Sequence, residues 1–123
     1  MKIETLVFDN LKKMIPADAS KTILFAGVAD TNYELFFYCM LADGEFHQCY
    51  ALAENGVLDS HLLDLCFSEI ASQIKSDEKY RAGSNNVFTF VADHSGVHLD
   101  VEYYERNARM YKIKKDWKAK YLV

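Results

Sequence analysis

Residues Thr22–Leu41, TILFAGVADTNYELFFYCML, hold two runs of β-branched, aliphatic and aromatic side chains, Thr22–Ala29 and Tyr33–Leu41, divided by Asp30-Thr31-Asn32. Side chains that pack well on a pleated surface, split by a turn tripeptide, read as an antiparallel hairpin. In the second run Leu35, Phe37, Cys39 and Leu41 share one side and Phe36, Tyr38 and Met40 the other, because successive strand residues point to opposite faces. Both sides are apolar. The plain reading is a central strand covered on both faces. If only one face is covered, Phe36, Tyr38 and Met40 become an open patch for a partner or a second copy.

Working outward, Asp43-Gly44 marks another tight turn before a third run, Phe46–Leu52, and Glu54-Asn55-Gly56 closes a three-stranded meander. Upstream, Ile3, Leu6, Val7, Leu11 and Met14 recur at helical spacing until Pro16. Downstream, Asp59 or Ser60 caps a second helix with Leu63, Phe67, Ile70 and Ile74 in one stripe. A polar loop, 76–86, leads to strands Val87–Ala92 and Val97–Tyr104, joined by Asp93-His94-Ser95-Gly96. Met110, Ile113, Trp117 and Tyr121 then return to helical spacing. The order α-β-β-β-α-β-β-α predicts an α+β fold, an antiparallel sheet of about five strands with helices packed on it. Strands do not alternate regularly with helices, which argues against a parallel Rossmann-like sheet.

The chain has 123 residues, half of them hydrophobic, which suits one core and one domain, 1–123. No signal peptide or membrane-spanning run can be drawn, so a cytoplasmic protein is expected. Cys39, Cys49 and Cys66 are odd in number, lie among apolar neighbours and show no CxxC spacing, which fits buried free thiols and not a disulfide or zinc framework. From Arg106 onward lie seven of the fourteen basic residues and only Asp116 among the acids, so within a net charge of -4 the rest of the chain is strongly acidic. An acidic body repels phosphates and attracts basic protein surfaces.

The chemistry-bearing pattern is Val97–Tyr104. Val97, Leu99, Val101 and Tyr103 fall on one face, and His98, Asp100, Glu102 and Tyr104 on the other. Carboxylates in a row beside tyrosine hydroxyls can engage Arg and Lys of a partner; an ordinary solvated strand face is the alternative. His98, Asp100 and Glu102 could also approach a metal, although no further His stands at a diagnostic spacing. His94 and His98 with a lysine would make a ribonuclease-like set, but no nucleophile motif, P-loop, GxGxxG, HExxH or GxSxG is present. Lys112, Lys114, Lys115, Lys118 and Lys120 around Trp117 read as the solvated basic face of an amphipathic helix, with nucleic-acid binding the lesser alternative.

Several stretches resemble the YezG-like family of bacterial immunity proteins. They are the helix ending in Met14-Ile15-Pro16, Glu34-Leu35-Phe36-Phe37-Tyr38, Phe88-Thr89-Phe90, Asp93 to Gly96, Asp100-Val101-Glu102-Tyr103-Tyr104-Glu105, and Trp117-Lys118-Ala119-Lys120-Tyr121-Leu122. The chain departs from that pattern at Ala19–Ile23, which lacks aromatics, and at His98. The resemblance implies an antitoxin that binds a cognate toxin domain, a basic nuclease, and occludes its active site without cofactor, catalysis, nucleic acid or membrane. The residues expected to touch the partner are His98, Asp100, Glu102, Tyr104 and Glu105, with Phe36 and Tyr38. A generic interaction or homodimerisation module is the first alternative reading, and a small hydrolase or ribonuclease the second.

Overall fold

Thr22–Leu41 forms the expected hairpin in the computed structural model, which describes residues 1–123. Strand β1, Lys21–Val28, pairs antiparallel with β2, Tyr33–Met40, so that Leu24 faces Phe37 and Phe25 faces Phe36. Strand β3, Phe46–Gln48, extends the sheet beyond β2, while β4, Asn85–Asp93, pairs with the other side of β1 and β5, Gly96–Tyr104, with β4. The resulting order is β3-β2-β1-β4-β5, antiparallel throughout. The most apolar strand is central, flanked by the two next most apolar, as burial on both faces demands.

Helices cover both faces. Helices α1, Ile3–Lys12, and α3, Ser60–Lys75, lie together on the face carrying Leu24, Phe37 and Phe90, where Phe67 meets Phe37 edge-on at 6.0 Å. Helix α4, Met110–Tyr121, crosses the opposite face and inserts Trp117 against Phe25 and Phe36. The α3 cap is Asp59, whose carboxylate accepts the His61 N–H at 2.9 Å and satisfies a donor the helix itself leaves free.

One element departs from expectation. The third run does not continue as a strand to Leu52: pairing stops at Gln48, and Cys49–Glu54 is a short helix, α2. Ala51, Leu52 and Ala53 are strong helix formers, and Cys49 and Leu52, one turn apart, bury the same side. This helix also finishes the edge of β2 that the short β3 leaves bare. The Cys49 sulfur accepts the Phe37 N–H at 3.4 Å, and the Tyr50 hydroxyl donates to the Leu35 carbonyl at 2.8 Å. The three cysteines are free and buried, and burial pushes the Cys39 and Cys49 thiols up to about 11.

Buried Asn86 ties down the loop before β4. Its amide donates to the carbonyls of Val28, Arg81 and Ser84, and its oxygen accepts the Arg81 N–H at 2.8 Å. Asn10, in the α1–α3 contact, is less well served. Its amide reaches Gln73 at 3.3 Å, but Oδ1 is buried without a partner. Asn10→Leu, which keeps the branched outline of the side chain, removes that unpaired acceptor and should raise stability by about 1 kcal/mol. Urea unfolding would show it as a higher midpoint at constant slope, and a lower midpoint would refute it.

Candidate partner interface

The register places Val97, Leu99, Val101 and Tyr103 on the α1 and α3 side, and His98, Asp100, Glu102 and Tyr104 on the α4 side. The alternation read from the sequence is therefore realised. His98, Asp100 and Glu102 are exposed, and Glu105 is exposed just past the strand end. Asp100 accepts a hydrogen bond from Tyr121 at 2.8 Å; Glu102 accepts one from Tyr104 and lies 3.6 Å from the Lys120 ammonium. The last turn of α4 thus stands directly over the acidic strip, enclosing with β5 a cleft of about 70 Å³ bounded by Glu102, Tyr104, Trp117 and Tyr121.

Electrostatics fix who donates. Burial first, then the hydrogen bond to Glu102, pushes the Tyr104 phenol up to about 12, and burial with Asp100 raises that of Tyr121. Lys120 is raised chiefly by Tyr121 and then by Glu102. At neutral pH both phenols therefore keep their protons and hold the carboxylates in place as acceptors. The spare oxygen lone pairs of Asp100 and Glu102 stay available to incoming donors.

Two expected contact residues are placed differently. Phe36 is 4% exposed, stacked on Phe25 at 4.7 Å and covered by Trp117, so it cannot serve as a surface anchor while α4 is docked. Tyr38 and Met40 are half-buried beside it, with Tyr38 edge-on to Phe36 at 6.0 Å. The open-face arrangement of Phe36, Tyr38 and Met40 fails because α4 supplies a second cover. The Trp117 indole also donates to the buried Thr89 hydroxyl at 2.9 Å.

His98 Nε2 lies 3.4 Å from Ser95 Oγ in the β4–β5 turn, and His98, Asp100 and Glu102 do not converge as a ligand trio. The trio whose donor atoms do lie within 4.8 Å of one another is Asp43, Glu45 and His47 in the β2–β3 turn. Sequence reading passed over it, although the every-second-residue spacing in Asp43-Gly44-Glu45-Phe46-His47 was the available signal. Its contacts account for it as a turn staple: Asp43 accepts the Glu45 N–H at 3.0 Å and pairs with His47 at 2.7 Å, and these two hold its carboxyl below the usual range. On α4, Lys114 pairs with Glu34 at 2.7 Å and Lys112 with Asp116 at 3.2 Å, while Lys115 and Lys118 remain exposed. No family model matches the chain, and no curated protein matches it.

Trp117→Ala should cost about 3–5 kcal/mol, since it leaves a cavity over Phe25 and Phe36 and strands the Thr89 hydroxyl. Calorimetry reading a loss under about 1 kcal/mol would mean that α4 does not hold the second face. The raised phenol of Tyr104 gives a second expectation. Unfolded tyrosine loses its proton near 10 while the folded group keeps it to about 12, so the unfolded chain binds fewer protons in that window and stability falls with rising pH. Tyr104→Phe should flatten that alkaline decline in denaturation midpoints measured between these two values, and an unaltered decline would assign it elsewhere.

Proposed function

We propose that the chain is an immunity protein of the YezG-like kind, which binds a cognate toxin domain stoichiometrically and blocks its catalytic cleft, with no cofactor or chemistry of its own. The observation that carries this reading is the exposed row His98, Asp100 and Glu102, continued by Glu105, on a strand anchored in a five-stranded sheet. A nuclease must present Lys and Arg to phosphate, and carboxylates held at fixed spacing compete for those same groups. Rigid support matters because ordering flexible side chains on binding costs free energy that a sheet has already spent. The long-range attraction between an acidic body and a basic toxin also speeds encounter. The stretches that resemble the family, from Glu34 to Tyr38 and from Trp117 to Leu122, support the same reading. The burial of Phe36 counts against self-association through that face.

The test is co-expression with the toxin domain encoded beside the gene, scoring survival and co-purification. Survival with a stable complex is expected, and death with no complex would sink the proposal. Within that complex, Asp100→Lys combined with Glu102→Lys should weaken binding by about tenfold or more and reduce its salt dependence. Unchanged affinity and salt slope in a folded variant would remove this strand from the interface.

A further inference from the structure

The two edges of the sheet are finished differently. On the β2 side, three residues of β3 are followed by α2, and the Cys49 and Tyr50 side chains take up Phe37 and Leu35 main-chain groups that β3 leaves free. The β5 side has no such cover. It runs nine residues, Gly96–Tyr104, in unbroken register with β4 and without Pro. Asp93 and Gly96 close its two-residue turn and are the first hydrogen-bonded pair, so alternation along the ladder leaves Val97, Leu99, Val101 and Tyr103 with N–H and C=O turned outward. No side chain or loop hydrogen-bonds to the main chain of these four residues. Near Tyr103 the 76–84 loop closes in, with the Arg81 guanidinium 3.8 Å from the Tyr103 ring centre, which leaves Val97 to Val101 as the open stretch.

We propose that this open edge receives an added β-strand from the partner, an extended segment in which Lys or Arg alternates with apolar residues. The inference rests on the immunity reading and says how the partner docks. Main-chain hydrogen bonds to Val97, Leu99 and Val101 supply affinity, and alternate side chains supply specificity. On the α4 side the incoming residues lie beside Asp100 and Glu102, whose exposed carboxylates match cations. On the other side they lie beside half-buried Val97, Leu99 and Val101, which match apolar side chains. The same strip disfavours a second copy. A two-fold pairing centred on Asp100, Val101 or Glu102 sets carboxylate against carboxylate, the arrangement by which edge strands resist self-pairing.

The test is amide hydrogen exchange on the isotopically labelled chain, alone and with a short peptide alternating Arg and Val. In the free chain the Val97, Leu99 and Val101 amides should exchange fast and those of His98, Asp100 and Glu102 slowly. The Arg–Val peptide should slow the first three by about tenfold or more, and a Glu–Val peptide should not. Asp100→Lys with Glu102→Lys should reverse that preference. Binding that leaves the three amides unchanged, or no binding of the Arg–Val peptide, overturns the inference. Protection that grows with protein concentration alone also overturns it and assigns the edge to a second copy. Toxin rescue without edge protection defeats the docking mode and spares the immunity reading, whereas edge protection without rescue does the opposite.

Discussion

The Trp117 indole carries the architecture. It packs edge-on against Phe25 at 5.4 Å and Phe36 at 5.5 Å, leans on Tyr38, and donates its one hydrogen bond to Thr89 beneath. Those four partners come from β1, β2 and β4, so a single side chain clamps three strands under α4. Without this cover, the Phe25 and Phe36 faces would meet water. With it, the sheet is an interior layer over β2, β1 and β4, and the surface of the α4 side shifts outward to β5. The acidic strip lies at the last turn of α4, which contacts Asp100 and Glu102 and still leaves both exposed.

This division explains why one half of the strip is steady. Tyr121 and Lys120 extend from the end of α4 to Asp100 and Glu102. Helix docking and carboxylate positioning are therefore coupled: the helix whose Trp117 buries Phe36 also carries the Tyr121 and Lys120 that hold the acids. Exposed ion pairs such as Lys120–Glu102 add little stability in themselves. Their use here is orientation.

Much of this was legible in the chain. The two apolar sides of Tyr33–Leu41 specified a strand with cover on both faces, and the strict alternation of Val97–Tyr104 specified which residues would be solvated. Period and turn chemistry are local, so sequence carries them directly. Cys49–Leu52 was misread because a short apolar run fits strand and helix alike, and tertiary context decided. The fate of Phe36 turned on Trp117, and the Lys114–Glu34 pair joins positions 80 residues apart. No local pattern encodes such pairings. The unfinished edge of β5 depends on strand order, which is likewise a property of the whole sheet.

The position of β1 has a consequence for synthesis. Its two neighbours are β2, which leaves the ribosome soon after it, and β4, whose pairing partners reach from Asn86 to Ala92. For the time it takes to make the intervening residues, the nascent chain exposes an apolar strand with one bare edge. Non-local pairing of this kind is slow, and transiently unpaired apolar strands are prone to aggregate. The helix that carries Trp117 follows β4 and β5 and emerges after both. Chaperone capture during translation would therefore centre on Ile23–Val28, and release would await the docking of α4 on that face.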